Sequence, residues 1–275
     1  MIALDRSLTS HHARQRGFSL VEMSIVLAIV GLLLGGMLMT LGAQVEQKRF
    51  NETQAALEAA RDAIYAYAIA NGRLPCPATS NSAGQEVRLA SGVCGATGSD
   101  FDYYGGIVSG VRGGLLPAVT LGLQPVDSSG FALDGWGNRI RYAVSKTTNP
   151  SNTAHFTNRT NLQTNGMSVT PYDLVVCASA TGISPSGTPP SCGTATKVTE
   201  LSTVAAIILS PGKNGALTPS TDEAANDNRA GANDAVFVYR TPTPATATAG
   251  EFDDQMIWIT GGGLYLKLLS AGILP

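Results

Sequence analysis

One apolar run constrains this chain more than any other feature. From Phe18 the sequence reads FSLVEMSIVLAIVGLLLGGMLMTL, with Glu22 as its single charge. As a helix rising about 1.5 Å per residue, this run is long enough to cross a hydrocarbon core of about 30 Å. Residues 1–17, MIALDRSLTSHHARQRG, are polar and basic, with Arg6, Arg14 and Arg16. Positive charge ahead of the run predicts a cytoplasmic leader, a single-pass transmembrane helix and an exported remainder. A secretory signal would have a shorter apolar core and a small-residue cleavage site after it. Here the run continues into further helical text, so the segment is expected to be retained.

Glu22 is the odd residue. A carboxylate near the start of an apolar span is costly and marks a specific partner. Cutting after Gly17 would leave Phe18 with a free ammonium four residues before Glu22. A neighbouring subunit's ammonium could then pair with Glu22 in a bundle, and breaking that pair would strand a charge. The alternative is an ordinary signal anchor with Glu22 at the headgroup level.

The stretch Arg16-Gly17-Phe18-Ser19-Leu20-Val21-Glu22-Met23, with the apolar run behind it, resembles the cleavage and methylation signal of type IV pilins and type II secretion pseudopilins. The resemblance implies that a prepilin peptidase cuts between Gly17 and Phe18 and that the Phe18 amine is methylated. It implies that Glu22 aligns an incoming subunit during assembly. Other pilin or pseudopilin subunits and an inner-membrane assembly platform are the implied partners. The implied location is a bacterial inner membrane with a periplasmic domain, then a pilus or pseudopilus. The family's helix-kinking proline position holds Met39, which fits pseudopilins or minor pilins better than retractable major pilins. Removing 17 of 275 residues leaves 258, a large subunit that also favours a minor or accessory role. The competing reading is a tip-located adhesin or substrate-binding module of the same filament.

Good helix formers continue from residue 42 to 70 without proline. Phe50, Leu57, Ile64 and Ala68 fall near one stripe, with Ala56, Ala60 and Tyr67 beside it. Gly72 suits a left-handed cap, and Pro75 prevents resumption. Beyond residue 71, apolar or β-branched runs at 139–144, 172–178, 204–209, 235–239 and 256–260 alternate with Gly, Pro, Ser, Thr and Asn. These predict strands of a mostly antiparallel sheet, with a short helix at 264–272. The final residues, ILP, are expected at a surface. The fold class is therefore α+β: a pilin-like fold with a long N-terminal helix on a sheet with long loops. Its expected parts are a leader (1–17), a transmembrane and assembly helix (18–41), the periplasmic half of that helix (42–70) and a β-rich globular domain (71–275). The turn Asp134-Gly135-Trp136-Gly137-Asn138, followed by Tyr142, resembles a pseudopilin motif with Gly135 in place of proline. Trp136 is expected to plug the helix–sheet core.

Four cysteines stand in two local pairs, neither with the short spacing of a zinc or redox motif. An even count in a glycine-rich exported domain favours disulfides Cys76–Cys94 and Cys177–Cys192, although four cysteines allow three pairings. Catalysis finds little support. After cleavage the one histidine is His155, in a polar stretch that reads as a solvated loop. The glycines at 105–114 match neither a dinucleotide nor a P-loop pattern. We therefore expect a non-enzymatic subunit without a cofactor. Calcium is the one candidate ion, at Asp222, Glu223 and Asp227 or at Glu251, Asp253 and Asp254, although Asp253 or Asp254 capping backbone N–H groups is the favoured reading. The formal charge of -2 and the scattered basic residues argue against a nucleic-acid partner.

Overall fold

A computed structural model describes residues 17–96, 101–146, 154–166, 172–185, 187, 189–215, 220–228 and 234–274. All of the leader except Gly17 lies outside them. The chain divides into two compact units, Met1–Gln47 and Lys48–Pro275. Helix α1, Leu20–Asn71, runs for 52 residues and contributes to both.

In the first unit, the start of α1, residues 20–33, is mainly apolar. Phe18, Leu20, Leu27, Leu32 and Leu33 are all well exposed within the single chain. Yet no helix among the described residues is long and apolar enough to cross a membrane. That finding overturns the transmembrane reading of 18–41 and, with it, the inner-membrane, single-pass location. From residue 46 onward the helix carries Glu46, Lys48, Arg49 and Glu52.

In the second unit, short elements precede the main sheet: α2 (Phe101–Tyr104), β1 (Ile107–Val108), β2 (Val111–Arg112) and α3 (Ala118–Leu121). The glycine-rich segment 105–114 is the hairpin β1–β2, with Ser109 and Gly110 both at positive φ, 51° and 78°. Two left-handed residues match the twist of a two-residue hairpin turn. Next come β3 (Arg141–Val144), α4 (Arg159–Asn165), β4 (Val175–Cys177) and β5 (Val204–Ser210). The last elements are α5 (Thr221–Asp227), β6 (Val236–Val238), β7 (Gln255–Thr260) and α6 (Gly261–Ser270).

Strand β5 is the centre of an antiparallel sheet ordered β3-β5-β7, with Ile208 opposite Tyr142 on one side and Ile257 on the other. Its sequence, VAAIILS, is buried throughout, as a continuous apolar run in a central strand should be. Leu57, Ala60, Ile64 and Ala68 of α1 share one core with Ile207, Ile208 and Ile259. These α1 positions recur every three or four residues, so one helix stripe supplies them all.

Strands β4 and β6 form a separate parallel pair, Val175 opposite Val236, beside the antiparallel sheets. Parallel neighbours need a crossover, and here the intervening chain includes β5 and α5. Leu274, expected at the surface, is buried in the main core. The architecture is α+β, with a long N-terminal helix and both antiparallel and parallel sheets.

Candidate functional site

The chain enters α1 through Ser19. The Ser19 backbone N–H donates to Glu22 Oε2 at 2.8 Å, and the Glu22 N–H donates to Ser19 Oγ at 3.2 Å. A helix start leaves four N–H groups without intrahelical partners, and this reciprocal capping box satisfies two donors. The pattern is legible as Ser19-Leu20-Val21-Glu22, a signal that reading Glu22 only as a charge overlooks. Glu22 is exposed and holds its own helix start. Phe18, immediately outside the cap, is 83% exposed. A Cβ built on Gly17 meets nothing within 4 Å. Among the described residues, then, nothing requires glycine at position 17.

An exposed aromatic thus follows a glycine that meets no described atom, and a capped helix start with exposed apolar side chains comes next. Residues 12–38 match the family described as the prokaryotic N-terminal methylation motif. The chain carries a prepilin-type signal. This signal is the one by which type IV pilins and pseudopilins are classified, and it supports processing by a prepilin peptidase. No curated protein and no solved structure matches the chain.

The remaining candidate residues of this prepilin-type chain lie in the second unit. Cys76–Cys94 and Cys177–Cys192 are disulfide-bonded, with Cα separations of 5.3 and 5.6 Å. The first bridge sits beside a polar node that spacing did not reveal. Arg73 grips Glu86 through Nη1 to Oε2 at 2.9 Å and Nη2 to Oε1 at 2.6 Å. Glu86 also accepts from Tyr67 Oη at 2.7 Å and the Cys76 N–H at 2.9 Å. Burial pushes the Glu86 carboxyl up, but these donors together hold it below its ordinary value.

The Asp134–Asn138 turn docks on α1 differently from expectation. Trp136 is half-buried with the Arg49 guanidinium 5.2 Å from its ring centre, so it does not plug the core as expected. Gly135 makes the close approach: its N–H donates to Thr53 Oγ1 at 3.0 Å, and an added Cβ would lie 2.3 Å from the Arg49 carbonyl oxygen. His155 is fully buried, not solvated, with Nε2 3.0 Å from Tyr265 Oη and its ring edge-on to Phe156. Burial lowers its pKa to about 4, so it is neutral at physiological pH.

Glu223, Asp253 and Asp254 are brought together, with one carboxylate oxygen from each within 4.8 Å of the others. Asp222 and Asp227 instead pair with Arg240 and Arg112. Asp253 Oδ2 accepts the Lys213 and Asn214 N–H groups, and Glu223 accepts the Asp253 N–H and Asn214 Nδ2. Asp254 Oδ2 accepts Asn226 Nδ2 at 2.8 Å. Burial, reinforced by the charge of Glu223, raises Asp254 to about 8 and Asp253 to about 6. The three carboxylates offer part of the six to eight oxygens calcium takes, while the same atoms tie the 212–214 loop to α5.

Proposed function

We propose that this chain is a filament subunit of the pilin and pseudopilin kind, made as a precursor and assembled through the first part of α1. In this reading residues 1–17 are a leader removed by prepilin peptidase, and Phe18 becomes the methylated N-terminus. Residues 18–41 are the assembly segment, 42–70 the support of the core, and 71–275 a pilin-like globular part with a non-enzymatic role. The partners are other such subunits and an assembly platform. The observation that carries the reading is the methylation motif at residues 12–38, continued into a helix start whose apolar side chains are exposed among the described residues. Burying those side chains against copies of the same helix removes them from water at about 25 cal/mol per Å².

Mass spectrometry of the mature N-terminus is the test. We expect loss of residues 1–17 and one added methyl on Phe18. An intact Met1, or a cut elsewhere, would remove the basis for the reading.

A further inference from the structure

A cavity of about 300 Å³ opens among segments far apart in sequence, with Ser80, Arg112, Asn138, Arg139, Arg141 and Asp227 in its lining. Its volume is at the small end of ligand sites. Its charge is the informative part. Three arginines line it together with one carboxylate, Asp227. Arg112 Nη2 and Arg141 Nη1 both donate to the same oxygen, Asp227 Oδ1, at 2.6 and 3.2 Å. Arg112 also donates to the Asp227 carbonyl at 2.8 Å, and Arg141 to the Asn226 carbonyl at 2.7 Å. Arg139 is held by Asp127 at 2.9 Å, with its guanidinium 4.2 Å from the Phe131 ring centre.

These contacts hold the side chains in place. Each guanidinium carries five N–H donors, and Arg112 spends only Nη2 on its neighbours; its Nε and Nη1 make no hydrogen bond among the described residues. Arg112 is mostly buried, with a side chain 20% exposed. A desolvated guanidinium with spare donors is matched best by an oxyanion, which a planar fork grips in bidentate fashion.

We propose that this cavity binds a small molecule through a carboxylate or phosphate group, gripped by Arg112 and Arg139 while Asp227 keeps Arg112 and Arg141 in position. The site is independent of the assembly segment, and the reading of the chain as a filament subunit neither requires it nor falls with it.

Calorimetric titration of the full chain with sodium phosphate and, separately, sodium malonate decides the matter, with sodium chloride at matched ionic strength as reference. Saturable binding of phosphate, malonate or both is expected, and their ratio tells which oxyanion the cavity favours. Arg112→Gln and Arg139→Gln should each weaken binding at least tenfold. Arg139 is the more exposed of the two and tests the proposal even if the Arg112 variant does not fold. Absence of saturable heat with both anions, an equal response to chloride, or unchanged affinity in Arg139→Gln would each overturn it.

Discussion

Ser19 and Glu22 cap each other across the first turn of α1, so the carboxylate expected to serve a neighbouring subunit also serves its own helix. Substitutions can separate the two roles. Glutamine can replace glutamate in a capping box, whereas alanine cannot. Glu22→Gln should preserve slow amide exchange at the start of α1 and still fail to enter filaments. Glu22→Ala should lose both, with a cap cost of about 1 kcal/mol. Normal incorporation of the glutamine variant would show that the charge is dispensable.

Gly17 separates processing from folding in the same way. Since a Cβ there meets nothing, Gly17→Ala should leave stability within about 0.5 kcal/mol of wild type. The intact mass should nevertheless be that of the uncleaved chain. Efficient cleavage of the alanine variant would mean that the peptidase does not read this position.

At the Arg73–Glu86 pair both side chains are largely buried, 13% and 17% exposed. Glu86→Ala strands the guanidinium, the Tyr67 hydroxyl and the Cys76 N–H together. A loss of about 3 kcal/mol is expected, read as a fall in the denaturant midpoint at unchanged slope. The depressed Glu86 carboxyl stabilises the fold above its ordinary pKa, and that contribution disappears as pH falls through its folded value.

Asp254 acts in the opposite sense. Its folded pKa of about 8 exceeds the ordinary 3.8, so the folded chain holds a proton that the unfolded chain releases. Its contribution to stability therefore falls as pH rises from about 4 to about 8 and changes little beyond. Asp254→Asn keeps an acceptor for Asn226 and removes the titration. Its Tm should exceed wild type by about 3 °C or more at pH 7.5 and match it near pH 4.5. Equal Tm differences at the two pH values would refute the assignment.

Gly135→Ala places a methyl 2.3 Å from a backbone oxygen of α1, and backbone cannot swing aside as a long side chain can. We expect a loss of about 1–3 kcal/mol by thermal or chemical denaturation. A neutral result would show that the turn can lift off Arg49 without cost.

The helix, the strand positions and the signal were legible because each rests on local pattern: period 3.6 at Leu57, Ile64 and Ala68, continuous apolar text at 204–209, and an abrupt change of character at Phe18. Pairing was less legible. Nothing near Val175 or Val236 announces that β4 and β6 run parallel, because that choice is made by a long crossover. Helices α4 and α5 were hidden in polar text, although their caps, Asn158 with the Asn161 N–H and Ser220 with Glu223, are local signals. His155 misled because polar neighbours say nothing about the aromatic wall that Phe156 and Tyr265 build around it. The membrane-spanning assignment failed for a different reason: it was drawn from the full apolar run, and no helix among the described residues meets that length and apolarity.

The two disulfides also set an order in time. Each joins cysteines only 18 or 15 positions apart, whereas Val175 must wait for Val236 and β5 for β7. Short loops close at little entropic cost and distant strands pair late. An oxidant can therefore stitch both loops while the chain is still emerging, and the strands then condense around knots already tied.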